Sequence, residues 1–231
     1  AEELENLLNE CRYHDIENVL ALRGDPPVGT DKFEAHPRGH KTAKGFVNQI
    51  RLMNRGKYIA RATDEKILGI KVKDGYREGW VSNFCIAVAG HPDGHPDCPD
   101  YDTNYIHLKE KVDAGADFII TQAIFDADSF FRFRDRCDKD GIRVPIIAGI
   151  LPVSIPFHLE MARTMIHAKI NPAYEKIFEK YKDSPEEFKR AGFDHSLEIC
   201  HALMESKAAG IQFYSLNRPK IIPSLIKSLT C

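Results

Sequence analysis

Five short apolar runs in this chain each end in residues able to do acid-base, hydrogen-bonding or anion-binding chemistry. Residues 18–22 run into Arg23-Gly24-Asp25, and residues 84–89 into His91-Pro92-Asp93-Gly94-His95. Residues 118–121 meet Gln122, residues 144–151 meet Pro152 and Ser154, and residues 211–216 meet Asn217-Arg218. Two arginines, an aspartate, two histidines and a glutamine at comparable places suit a polar heteroaromatic ligand, because each such ligand needs a few fixed donors and acceptors set against apolar walls.

The elements that must position these groups follow from pattern. The five runs are continuous and apolar, which is how strands covered on both faces read. Between them lie stretches of helical period at residues 3–11, 42–53, 105–114, 128–139, 157–167, 172–178 and 185–208. Asp128 and Ser129 are plausible N-caps, and Gly115, Gly141 and Gly210 stand where left-handed C-caps belong. The alternation βαβα requires parallel strands with right-handed crossovers. An open doubly wound sheet and part of an eight-stranded barrel both satisfy it. Residues 55–79 break the rhythm with many charges and several glycines, and they read as an inserted loop or small hairpin.

Composition sets the outer limits. The chain has 231 residues, 43% hydrophobic and 29% charged, with mean hydropathy -0.36. A single α/β domain over residues 1–231 is expected. A net charge of -2 gives no global basic field for a nucleic-acid backbone. No apolar run is long enough to span a bilayer, and a cytoplasmic protein is expected. Six cysteines are scattered without a CxxC pair, so free thiols are expected rather than a disulfide framework.

His91, His95 and Cys98, with His107 beyond, have the chemistry of metal ligands. The prolines and glycine between residues 92 and 99 break any helix that would align them, so no metal is expected. His91, His95 and Cys98 are read instead as ordinary loop residues.

The runs NVLALRGDPP, FCIAVAGHPDGHPD, LKEKVDAGADFIITQAIFDADSFFRFRDRC, PIIAGILPV and FYSLNR, in this order and spacing, resemble methylenetetrahydrofolate reductase. They cover most of the chain outside residues 55–79. The resemblance implies a (βα)8 barrel of TIM type, incomplete here and comprising about the last five βα units. It implies FAD as cofactor, NAD(P)H as co-substrate and reduction of 5,10-methylenetetrahydrofolate to 5-methyltetrahydrofolate. Carried over residue by residue, Asp25 takes the catalytic, electrostatic role near flavin and folate. Arg23, Gly24, Ala43, His91, His95, Cys98, Asn104, His107 and Lys111 fall to the cofactor, and Gln122 and Arg218 to folate.

Several positions depart from the family pattern. Gly45 stands where an aspartate is common, His91 where a tyrosine is usual, Asn104 where an aspartate faces the FAD ribose, and Ile124 at an aromatic place. The family's first three strands, with their general-acid glutamate, have no counterpart in this sequence. The alternative expectation is therefore a non-catalytic chain that binds folate, flavin or a partner subunit. A homo-oligomer is expected in either case.

Overall fold

A computed structural model describes residues 1–24, 26, 29–30, 33–95, 98, 100–218 and 220–230. The described elements run α1 (Glu2–Tyr13), β1 (Asn18–Ala21), α2 (Ala43–Met53), β2 (Lys57–Ile59), α3 (Ala62–Leu68), β3 (Val72–Lys73), β4 (Tyr76–Glu78) and β5 (Cys85–Gly90). They continue with α4 (Tyr101–Asp113), β6 (Phe118–Ile124), α5 (Ala127–Lys139), β7 (Ile146–Ile150), α6 (Pro156–Met161), α7 (Pro172–Tyr181), α8 (Pro185–Glu205), β8 (Gly210–Phe213) and α9 (Ile221–Thr230). The fold is mixed α/β with a parallel central sheet of five strands, consistent with part of a TIM barrel. No described helix is long and apolar enough to cross a membrane.

The chain divides into two compact units, and each is described by itself. The first comprises Ala1–Val88 and Glu110–Phe118, the second Ala89–Lys109 and Ile119–Cys231. In the first unit β1 pairs in parallel with β5, Asn18 opposite Cys85 and Ala21 opposite Val88. Helix α2 opens on Thr42, whose hydroxyl accepts from the Gly45 N–H, and packs against β1 and β2. Its apolar face buries Val47, Ile50 and Met53 completely or nearly so. That pattern of every third and fourth residue is what commits the segment to an amphipathic helix.

Residues 55–79 form structure of their own. Strands β2, β4 and β3 make a small antiparallel sheet, and α3 is inserted between β2 and β3. The sheet is fastened by Glu5 of α1, whose carboxylate is fully buried. Its Oε2 accepts from the Ile59 N–H at 2.7 Å, and its Oε1 faces Arg77 at 3.1 Å and Arg61 at 3.6 Å. Asp64, also buried, neutralises Arg77 from the other side at 3.2 Å. A buried carboxylate is tolerated only when its charge and lone pairs are met in this way.

In the second unit β6, β7 and β8 are parallel neighbours, with Ile120 opposite Ile147 and Ile150 opposite Phe213. Helix α8 is its central pillar, packing on α5, α7, α9, β7 and β8. The core between them includes Phe125, Phe130, Phe133, Tyr174, Phe188 and Leu203. Helix α6 continues into a π-helical turn, Ala162–Ile166, that ends on His167 in the left-handed region at φ 55°. Beyond it the chain crosses back, with Ile170 bridging Phe125 and the Lys169 N–H donating to Asp93 at 2.9 Å.

Three expectations about boundaries are corrected. The cap of α5 is Asp126, whose side chain accepts from the Asp128 N–H, because a cap must precede the first helical N–H it satisfies. Gly210 opens β8 instead of closing α8; Lys207, at φ 58°, takes the left-handed position after that helix. Helix α4 begins four residues before the expected start at Tyr105, since Asp100 accepts from both the N–H and the hydroxyl of Thr103 and sets the first turn. Gly115 and Gly141 do adopt positive φ, at 115° and 76°. The five described cysteines are all free thiols.

Candidate functional site

Strand β1 leads directly into Leu22-Arg23-Gly24, so the first unit presents these residues at the strand's C-terminal end. The Arg23 guanidinium lies 5.2 Å from the centre of the Phe33 ring, a cation-π distance that holds the side chain back along the loop. Asp25 lies outside the described residues. Ala43 is the first residue of α2 and is half-buried.

The departure at Gly45 has a steric account. A Cβ at this position would come within 2.9 Å of His40 Nδ1, so the His40 ring occupies the room an aspartate would need. His40 is itself fixed there, stacked on Phe46 at 6.1 Å and bonded through Nε2 to the Gln49 side chain. Lys111, on the last turn of α4, is pushed down to about 8 by burial, which penalises its charged form.

A second polar feature of this unit sits at the opposite strand ends. A cavity of about 290 Å³ is lined by Glu17, Asn18, Arg51, Asn54, Cys85 and Asp117, among others. Three of its side chains are held by the protein itself: Arg51 pairs with Asp117 and donates to the Gly115 carbonyl, while Asn54 bonds Ser82 and both backbone groups of Phe84. Asn18 and Cys85 are the first residues of their strands, and in barrels that end serves stability rather than chemistry.

In the second unit the turn after β5 is tightly built. His91 and His95 meet edge to face with ring centres 4.6 Å apart. The Cys98 N–H donates to the His95 carbonyl at 2.9 Å, and the Asn104 amide donates to the carbonyls of Cys98 at 2.7 Å and Asp100 at 3.0 Å. The Tyr101 hydroxyl closes the turn on the Pro92 carbonyl at 2.7 Å. These bonds bring His91, His95, Cys98 and Asn104 together. His107 stays apart from them, exposed on α4. Among the described residues no group of three or more His, Cys, Asp or Glu could hold a metal ion.

Gln122 lies within β6, half-buried, and its Oε1 accepts from the Ala123 N–H at 3.0 Å. Ile124, at the position where the family has an aromatic residue, is 1% exposed and belongs to the core. Beside Gln122 the sheet is unusually close-set: Thr121 Oγ1 accepts from the Gly149 N–H at 2.8 Å, and the Tyr214 hydroxyl donates to the Thr121 carbonyl at 2.9 Å. A Cβ at Gly149 would stand 2.3 Å from the Thr121 carbonyl oxygen, so only glycine fits.

Arg218 emerges after β8 on a turn in which Leu216 and Asn217 both have positive φ, at 46° and 57°. A buried histidine that residue spacing does not reveal lies on α6. His158 of α6 is 3% exposed, and its Nδ1 lies 3.1 Å from the Pro152 carbonyl oxygen. Burial holds this histidine below its usual range, the hydrogen bond to the Pro152 carbonyl opposes the shift, and the positive charge of Arg218 adds the smallest push downward. Tyr174 and Ser196 were also missed. Their hydroxyls meet at 2.8 Å, and Ser196 Oγ accepts the Val153 N–H at 3.1 Å, fixing the turn after β7.

The family model described as methylenetetrahydrofolate reductase matches residues 1–65 and 70–230 of this chain. Over 241 residues it is 34% identical to "Methylenetetrahydrofolate reductase (NADH) 1" of Arabidopsis thaliana, covering 99% of this chain and 36% of that protein. Over 228 residues it is 30% identical to "5,10-methylenetetrahydrofolate reductase" of Escherichia coli (strain K12), covering 99% of this chain and 66% of that one. Over 223 residues it is 30% identical to "Probable methylenetetrahydrofolate reductase (NADPH)" of Caenorhabditis elegans, covering 96% of this chain and 29% of that one.

Proposed function

The chain belongs to the methylenetetrahydrofolate reductase family, and on that premise we propose that it contributes to an FAD-dependent enzyme that uses NAD(P)H to reduce 5,10-methylenetetrahydrofolate to 5-methyltetrahydrofolate. The observation that carries this reading is the family match along nearly the whole chain, at residues 1–65 and 70–230, which takes in every candidate site residue.

The side chains present suit such a cofactor. A half-buried ammonium at Lys111 and the Arg23 guanidinium suit phosphate oxygens, and the packed imidazole pair of His91 and His95 offers aromatic surface to a flat heterocycle. We assign Gly24, Ala43, Cys98, Asn104 and His107 to the same ligand. FAD, when bound, supplies hydride transfer, and the protein's part is position and electrostatics.

Asp25 is assigned the catalytic role. By the family resemblance, a carboxylate at this position would stabilise a cationic iminium form of the folate. Gln122 and Arg218 are assigned to folate, the amide by hydrogen bonds to the pterin and the guanidinium by its charge. We place the protein in the cytoplasm, as a homo-oligomer; the free thiols support a reducing compartment.

The test uses the full-length protein that contains this chain. Purified protein should carry flavin absorbance and should reduce menadione with NAD(P)H. Asp25→Asn should lower folate reduction at least tenfold more than NAD(P)H oxidation, a difference of about 1.4 kcal/mol in barrier. Equal losses in the two half-reactions would argue against the role given to Asp25. A colourless protein inactive with either acceptor would favour the non-catalytic alternative.

A further inference from the structure

Strand β6 carries one extra residue where Gln122 stands. Its ladder with β7 sets Ile120 opposite Ile147 and Ala123 opposite Gly149, so Thr121 and Gln122 together face Ala148 alone. An extra residue of this kind is a β-bulge, which bends the strand and re-aims the side chains it carries. Two hydroxyls meet the backbone groups around it. Thr121 Oγ1 accepts from the Gly149 N–H at 2.8 Å, and the Tyr214 hydroxyl donates to the Thr121 carbonyl at 2.9 Å. Tyr214, just beyond β8, reaches β6 across β7 by passing over Gly149, where a Cβ would stand 2.7 Å from its ring. Its own N–H donates to the Ile150 carbonyl at 2.8 Å, so the residue is pinned at both ends.

We propose that Tyr214 is a positioning residue for Gln122: its hydroxyl, with that of Thr121, holds the bulge that presents the glutamine amide to folate. The proposal rests on the reading of Gln122 as a folate-binding residue. Three observations support it. The bulge falls at the assigned glutamine, and bulges are over-represented where a strand must re-aim a side chain beside a site. The Ala123 N–H takes the amide oxygen of Gln122 at 3.0 Å, which orients the side chain and leaves its two amide N–H groups as donors. Tyr214 also opens the segment that carries Arg218, whose N–H donates to the Ser215 carbonyl at 2.8 Å. One side chain thus ties together the backbone supports of both residues assigned to folate. Burial pushes the Tyr214 phenol above its ordinary value, so the hydroxyl remains a donor at neutral pH.

Tyr214→Phe removes the hydroxyl and keeps the ring over Gly149. In the full-length enzyme it should raise KM for methylenetetrahydrofolate about threefold to tenfold, as loss of one hydrogen bond does, with kcat changing less. In a Gln122→Ala background the same substitution should change that KM by less than about twofold, because the residue it positions is gone. An equal factor in both backgrounds, or an unchanged KM in Tyr214→Phe alone, overturns the proposal. Thr121→Val should mimic Tyr214→Phe, and Thr121→Ser, which restores the acceptor, should recover most of the loss. A serine variant no better than the valine one would overturn the role given to the hydroxyls.

A second measurement stands apart from turnover. The side-chain amide resonances of Gln122, identified by their loss in Gln122→Ala, should shift in Tyr214→Phe. Unmoved resonances overturn the proposal even if folate KM changes. An unaltered folate KM in Gln122→Ala would sink the assignment of that residue to folate instead, leaving the amide resonances to decide whether Tyr214 positions it.

Discussion

The two units hold their polar interiors by different means. In the first, the most deeply buried polar group is a carboxylate, Glu5, ringed by Arg61, Arg77 and a backbone N–H. In the second, hydroxyls do the equivalent work: Thr121 on the Gly149 N–H, Ser196 on the Val153 N–H, and Tyr174 on Ser196. Charge is long-ranged and tolerant of angle, and it suits the attachment of a small inserted sheet to a helix. Neutral hydrogen bonds are short and directional, and they suit the strand ends from which candidate ligand-binding residues project.

This contrast can be broken most forcefully at Glu5. Glu5→Ala leaves Arg61 and Arg77 without their shared carboxylate, and removing one partner of a buried pair typically costs about 3–5 kcal/mol. Denaturant unfolding should show that loss, with Glu5→Gln recovering part of it through the Ile59 bond. A loss below about 1 kcal/mol would mean that Asp64 alone suffices for the guanidinium charges.

In the second unit, Gly149→Ala forces a methyl against the Thr121 carbonyl and the Tyr214 ring, and overpacking of this kind costs about 1–3 kcal/mol. Ser196→Ala strands the Val153 N–H and the Tyr174 hydroxyl, with an expected cost of about 1–3 kcal/mol. On the proposed function, KM for folate should rise in Ser196→Ala beyond what the lost stability explains, because the turn after β7 loosens. If stability falls and KM does not, the network is structural only.

Smaller effects sharpen the same contrast. The thiols of Cys137 and Cys200 are each pushed up to about 12 by burial, so they should resist alkylation near neutral pH until the chain unfolds. Mass spectrometry after a brief iodoacetamide pulse would show it. Arg143→Ala breaks an exposed pair with Asp138, 2.7 Å apart, and should change the midpoint of unfolding by no more than about 0.2–1 kcal/mol.

The parallel strands were legible because near-continuous apolar runs such as residues 84–89 have few other homes in a chain of this composition. The inserted sheet looks like a loop or hairpin in the sequence, since strands of two or three residues carry no period to detect. Helix α9 was hidden by Pro223, which a first helical turn accepts but which reads as a breaker. Of the site, the strand-end residues were visible by type. His158 was not, because its partners are the backbone groups of Pro152 and Ser154, which residue type does not reveal. The crowding of His40 over Gly45 is likewise a relation between side chains that spacing does not encode.

The π-helical turn at Ala162–Ile166 acts as a phase shifter. An α-helix turns about 100° per residue, so shortening that turn by one residue would rotate everything after it by more than a quarter circle. The Lys169 N–H would then swing off Asp93, and the Asn171 amide off Asp126, which it meets at 3.2 Å. Single-residue deletions here should therefore be far less tolerated than substitutions at exposed Met165. The spacing between the segment's two anchors is set by counting residues, with side-chain identity secondary.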